Sequence, residues 1–273
     1  CPVNSERIDQ VPDWVKTAKD IVISAKTPVI DLPLGVSADR VTGALDIERA
    51  LVDGIKEFQP GLLAKANRGY LYIDEVNLLE DHIVDLLLDV AQSGTNTVEK
   101  EGLSITHPSR FILIGSGNPE EGELRPQLLD SFGLSVEVRT PQTIMDRVDV
   151  IKRRDEFDRD PEAYCNKWAA ENAKVRNIIL EGRERLGSVK ISDQMLEICA
   201  EICVAMGSDG LRGELTLLKT ARAFAALQGD LMVHNDHIKR IAPMALSHRL
   251  RRDPLDDTGS TVRVERTLDA VLG

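Results

Sequence analysis

Nine residues, Gly69-Tyr-Leu-Tyr-Ile-Asp-Glu-Val-Asn77, constrain the fold more than any other part of this chain. Tyr70 to Ile73 are β-formers with no charge among them, which reads as a short buried parallel strand. The strand runs straight into Asp74 and Glu75. In open α/β sheets ligands sit just beyond the carboxyl ends of the strands, so the two acids stand where a ligand would. Burying carboxylates there is costly unless they meet a cation or activate a water.

An Asp that holds Mg2+ beside an acid that orients the attacking water is the division of labour in the Walker B element of P-loop ATPases. The competing use of such acids is to cap the helix that starts near Glu80. The fully apolar strand before them favours the ligand role. The complementary phosphate cradle, G-x-x-x-x-G-K-[ST], does not occur in the 273 residues. The first residue is Cys1 and not Met. The expectation is a chain that starts inside a longer polypeptide, with the cradle upstream.

The chain divides near residue 140, into an α/β part over 1–140 and a helical part over 141–273. Pro28 to Leu34 has extended character, with prolines that suit a sheet edge or loop. Residues 44–55 carry apolar side chains at helical spacing. Residues 81–91 form an amphipathic helix with Ile83, Leu86, Leu87 and Val90 on one side. Residues 96–106 alternate around Lys100-Glu101-Gly102, a hairpin signal. Phe111 to Gly115 is a second continuous apolar strand and ends at Ser116-Gly-Asn-Pro119. Leu134 to Val138 reads as a third strand. Amphipathic helices are expected near 143–155, 161–185, 193–206, 212–229 and 234–250. The fold class is therefore α/β: a parallel sheet core, incomplete at its N-terminal side, followed by a helical lid.

Three further residues stand where they can do chemistry. Asn118 follows the second apolar strand and can hydrogen-bond a water or a terminal phosphate, although Asn-Pro is also a common turn. Arg125 lies in Leu124-Arg-Pro-Gln-Leu-Leu-Asp-Ser-Phe-Gly133, and a planar guanidinium suits phosphate. Arg212 opens a helix, where a cation opposes the dipole, and that placement points to a ligand-facing role.

Bulk properties exclude other classes. The formal net charge of −11 argues against nonspecific nucleic-acid binding. No run of 18 apolar residues marks a membrane span. Cys1, Cys165, Cys199 and Cys203 form no metal-ligand pattern; Cys199 and Cys203 share a helix face as a buried core pair, and a reducing compartment fits them. His82, His107, His234, His237 and His248 are scattered, as surface or packing residues are.

Long segments carry a family resemblance: residues 31–51, 60–94 (PGLLAKANRGYLYIDEVNLLEDHIVDLLLDVAQSG), 109–130 (SRFILIGSGNPEEGELRPQLLD), 207–218 (GSDGLRGELTLL) and 245–257. Together they resemble the AAA+ ATPase subunit of magnesium chelatase, the smallest of its three subunits, in its bacteriochlorophyll-type form. The resemblance implies an ATP-dependent ligase subunit that uses ATP and Mg2+. Asp74 then corresponds to the Mg2+ ligand, Glu75 to the catalytic acid, Asn118 to sensor 1 and Arg212 to sensor 2. Residues of about 31–68 correspond to the insertion in the second helix, and about 96–106 to the hairpin before sensor 1. It implies a homo-oligomeric ring, hexameric by family habit, that works with a second AAA+-like subunit and a porphyrin-binding subunit. Together they insert Mg2+ into protoporphyrin IX, in the bacterial cytoplasm or a plastid stroma.

The family pattern Leu-Leu-Asp-Arg-Phe-Gly reads here Leu128-Leu-Asp-Ser-Phe-Gly133, so Ser131 stands where the arginine finger is expected. Serine cannot supply charge to a neighbouring subunit's nucleotide, and loss of such a finger costs about 10³–10⁵ in rate. The expectation is impaired hydrolysis, with Arg125 as a possible substitute in trans. Other AAA+ remodellers, of cobalt chelatase or MoxR type, and a nucleotide-binding assembly module without turnover are the alternatives. A DNA-directed AAA+ motor is a further one, kept open by the basic run Arg249-Leu-Arg-Arg252 against the acidic balance.

Overall fold

The computed structural model describes residues 3–7, 10–12, 14–15, 23–46, 51–52, 57–100, 103–122, 124–208, 210–250 and 260–272. Chain packing divides it into two units, Cys1–Phe132 and Gly133–Gly273. In the first unit, β1 (Val29–Leu32), α1 (Ala38–Thr42), β2 (Gly43–Leu45), β3 (Phe58–Pro60), α2 (Leu62–Ala66) and β4 (Tyr70–Ile73) come first. They are followed by α3 (Asp81–Ser93), β5 (Thr95–Lys100), β6 (Leu103–Pro108), β7 (Ile112–Gly115) and α4 (Pro126–Ser131).

The apolar strand at 70–73 is the centre of a parallel sheet in the order β1-β4-β7. Register aligns Ile30, Leu71 and Leu113 in one row, and Val29, Tyr70 and Ile112 in the next. Side chains alternate across a sheet, so the two rows face opposite ways. Leu71 and Ile73 are fully buried, packed with Leu63, Ile83, Leu87 and Val41. The other face is open within this unit: Val29 is 64% exposed and Ile112 57%. Gly69 has to be glycine at the entry to β4, because a Cβ there would collide with the Pro28 carbonyl.

Helix α3 buries Ile83, Val84, Leu87 and Val90, with Leu86 partly buried beside them. The expected hairpin exists as β5 and β6, paired antiparallel from Thr95↔Pro108 to Lys100↔Leu103; the turn residues 101–102 lie outside the described residues. It is tied to the rest of the unit by Asn96, whose Nδ2 donates to the Thr42 carbonyl at 2.8 Å and meets His107 Nε2 at 3.0 Å.

The expectations for 44–55 and 134–138 fail. The helix expected over 44–55 does not begin at Ala44, because Ala44 and Leu45 pair with Gln59 and Phe58 in the ribbon of β2 and β3. Gly43, at φ +106, separates this ribbon from α1. Leu51 and Val52 are helical, and residues 47–50 and 53–56 lie outside the described residues. Leu134 to Val138 is not a strand. It alternates correctly but has no ladder partner among the described residues; Ser135 N–H instead donates to the Met244 carbonyl at 2.8 Å.

The second unit is helical: α5 (Ile144–Arg159), α6 (Pro161–Lys167), α7 (Ala169–Arg185), α8 (Asp193–Ala205), α9 (Arg212–Gln228), α10 (Asn235–Leu246) and α11 (Ser260–Leu272). Its core joins Cys199, Ile202 and Cys203 of α8 to Leu217, Ala221 and Ala225 of α9. Ile238, Ile241 and Leu246 of α10 and Val264 and Leu268 of α11 complete it. The cysteine pair is thus a core pair, as its spacing indicates. Burial first, and the nearby Glu214 carboxylate second, push the Cys199 thiol up to about 11 and Cys203 up to about 12. The segment expected as one helix over 161–185 breaks at Trp168 into α6 and α7. Helices α5 and α6 bury none of their residues, and α7 buries only Gly182, against Leu227 of α9, with Arg185 Nη1 donating to the Ala226 carbonyl at 2.7 Å. Among the described residues no helix is long and apolar enough to cross a membrane.

Candidate functional site

Strand β4 delivers Asp74 and Glu75 to the carboxyl end of the sheet, and neither acid caps α3. That helix has Glu80 at its N-cap, and Glu75 precedes a separate 3-10 turn, Val76–Leu78, without a capping side-chain bond. Glu75 sits in the left-handed region, φ 53 and ψ 53. For a residue with a Cβ this costs on the order of 1–3 kcal/mol and persists only where the surroundings enforce it.

The enforcing residue is Ser116, which directly follows β7. Its N–H donates to the Ile73 carbonyl at 3.0 Å, and its own carbonyl accepts from Val76 N–H at 2.8 Å. Its hydroxyl accepts from Glu75 N–H at 3.1 Å and donates to Asp74 Oδ1 at 2.5 Å. The Tyr72 hydroxyl donates to the same oxygen at 3.1 Å. Tyr72 reaches it because residues two apart along an extended chain share a side.

The Ser116 bond first, and the Tyr72 bond second, hold the exposed Asp74 carboxyl below its ordinary range. Asp74 is therefore ionised at neutral pH. One exposed, ionised carboxylate at a strand end is the donor set Mg2+ uses when phosphates and waters complete its octahedron. The residues present fit that ion.

Asn118 lies at the end of the same segment, and Asn77 Nδ2 donates to its carbonyl at 3.5 Å. Its side-chain Oδ1 accepts from Glu120 N–H at 3.1 Å, capping the turn Pro119–Glu121. The turn use of Asn-Pro is thus real, and it employs the amide oxygen; the amide nitrogen is the end able to donate to a phosphate or water. Gly115 allows β7 to close against Val76 and Phe132, since a Cβ there would approach both to 3.2 Å.

The remaining positions are spread out. Ser131 is the last residue of α4, exposed, in the first unit. Arg125 stands at the N-cap of the same helix and pairs with Asp81 at 3.2 Å and Asp85 at 3.8 Å on α3. Its guanidinium is thus paired within its own unit. Arg212 is the exposed first residue of α9, in the second unit. Asp74, Glu75 and Asn118 are gathered around Ser116. Sequence reading passed over Ser116 and Tyr72, although the hydroxyl two residues before Asp74 was a signal for the latter.

Comparison with known proteins identifies the family. A family model described as magnesium chelatase, subunit ChlI, matches residues 46–151, and an AAA lid domain model matches residues 196–268. The magnesium-chelatase 38 kDa subunit of Rhodobacter capsulatus is 64% identical over all of this chain and 78% of its own length. That of Cereibacter sphaeroides is 63% identical over all of this chain and 81% of its own. A crystal structure from Cytophaga hutchinsonii, 17% identical, superposes with a TM-score of 0.64 over 88% of this chain and 76% of that one, which shows shared fold alone. The parallel sheet and helical lid are those of an AAA+ protein, and the chain belongs to the magnesium chelatase family, in the branch of its ChlI-type, 38 kDa subunit.

Proposed function

We propose that this chain is the ATP-hydrolysing motor of a magnesium chelatase. It assembles into a ring and works with a second AAA+-like subunit and a porphyrin-binding subunit to insert Mg2+ into protoporphyrin IX. The bacterial cytoplasm is its proposed setting. The observation that carries the reading is the Asp74-Glu75 pair at the carboxyl end of β4, with its ionised Asp74, in a chain so similar to magnesium-chelatase subunits.

In this reading Asp74 holds the Mg2+ of MgATP, and bound Mg2+ neutralises charge on the phosphates. Glu75 accepts a proton from the attacking water. Asn118 donates its amide N–H to that water or to the terminal phosphate. Arg212, from the lid unit, contacts phosphate and registers its loss. The test is Glu75→Gln in the protein expressed from its complete reading frame: binding of a fluorescent ATP analogue persists while hydrolysis is lost. Equal hydrolysis by the variant would sink the assignment.

Ser131 favours a second reading, in which the chain binds nucleotide and turns it over poorly. On that reading Ser131→Arg raises the ATPase rate of the assembled ring by about 10³-fold or more. An unchanged rate removes it.

A further inference from the structure

One residue reaches every member of the Asp74-Glu75 turn. Ser116 makes a bond to each of four consecutive residues: the Ile73 carbonyl, the Asp74 carboxylate, the Glu75 N–H and the Val76 N–H. Its two backbone bonds alone tie the end of β7 to β4. The Asp74 carboxylate is exposed, so water would satisfy it equally well. What the hydroxyl adds is direction. With Ser116 and Tyr72 both on Oδ1, neither hydroxyl occupies Oδ2, and the carboxylate cannot rotate without breaking two bonds. By accepting from Glu75 N–H, the same oxygen holds the left-handed backbone that aims the Glu75 side chain.

We propose that Ser116 is the positioning residue of the nucleotide site, its hydroxyl fixing the Asp74 carboxylate for the metal and the Glu75 backbone for the attacking water. The inference rests on the roles proposed for Asp74 and Glu75. A hydroxyl donated to a metal-ligating carboxylate acts as outer-shell partners do, by orienting the ligand. Because it grows from the strand that also carries Asn118, Ser116 keeps the residues at the two strand ends in fixed relation. Displacement of Asn118 on phosphate loss would then be felt at Asp74 and Glu75.

The test uses the protein from its complete reading frame, with Mn2+ as an electron-paramagnetic probe for the metal in the presence of a non-hydrolysable ATP analogue. Ser116→Ala is expected to weaken Mn2+ binding by about 10–100-fold, with metal-free binding of the analogue and the thermal midpoint unchanged. Ser116→Thr, which keeps the hydroxyl, restores Mn2+ affinity. Tyr72→Phe weakens it less, since the longer of the two bonds is removed. Should Ser116→Ala unfold, Ser116→Cys keeps the size with a weaker donor and reads the same loss. Unchanged Mn2+ affinity in the Ala or Cys variant overturns the proposal, as does a Thr variant as weak as Ala. Asp74→Asn separates the two layers: if it leaves Mn2+ binding intact, the assignment of Asp74 itself has failed; if it abolishes binding while Ser116→Ala does not, only the role of Ser116 has failed.

Discussion

The two faces of the parallel sheet are built from nearly the same residues and live in different surroundings. Ile30, Leu71, Ile73 and Leu113 face a core closed by α2 and α3, whereas Val29, Ile112 and Ile114 on the opposite face are between 43% and 64% exposed. A parallel sheet is ordinarily covered on both sides. An apolar strand therefore says that it will be covered, not by which part of the molecule. The open face also carries Tyr72, the residue that shares Asp74 with Ser116, so the uncovered side borders the chemistry.

The largest expected effect separates chemistry from packing. In the complete protein Glu75→Gln is expected to lower ATP turnover by about 10²–10⁴-fold. Asn118→Ala, which removes one donor, costs about 10²-fold. Steady-state ATPase assays check both, and a larger loss at Asn118 than at Glu75 would shift the catalytic weight from β4 to β7. Next in size is a stability contrast. Leu71→Ala on the closed face costs about 2–5 kcal/mol of unfolding free energy. Ile112→Ala on the open face is expected to cost no more than the roughly 0.5 kcal/mol typical of a surface site if nothing covers that face, and more if something does. Denaturant titration measures both, and a surface-like value for Ile112 would leave the faces different after all.

The smallest effect is in pH. His107, in the hairpin that leads into β7, is buried, and burial lowers its pKa below the ordinary 6.5. The folded chain thus binds this proton less readily than the unfolded one. The stability His107 contributes is present above pH 6.5 and is lost as pH falls toward its folded value. Thermal midpoints of the parent and His107→Gln should converge as pH is lowered from 7.5 to about 5. Parallel curves would show that the entrance to β7 does not titrate.

How much of this was legible in the sequence depends on what each signal requires. Tyr70 to Ile73 announced a buried parallel strand, because continuous apolar character reports burial directly. Ile83, Leu87 and Val90 announced their helix face by the same logic. Leu134 to Val138 misled, because alternation reports a side-chain pattern and a strand needs a partner backbone as well. Residues 144–185 misled in the opposite sense: they form helices, but of them only Gly182 is buried, where the end of α7 meets α9. At the site, the carboxylates were visible because acids after an apolar strand are costly. Ser116 was not, since a serine in Gly-Ser-Gly looks like any turn until the opposite strand end is placed beside it. Arg125 reads in the sequence as a phosphate-suited cation; its pairing with Asp81 and Asp85, within 4 Å of its guanidinium, needed the fold to be seen.

That ion pair has a consequence for how easily activity could be lost and regained. Arg125 fastens the beginning of α4 to α3, and Ser131 is the last residue of the same short helix. The helix that carries position 131 is thus fastened to α3 at its other end, by a residue that is not position 131. Serine and arginine codons can differ by a single nucleotide. If position 131 governs turnover, silencing and restoring this motor are each one point mutation away, with no loop to remodel in either direction.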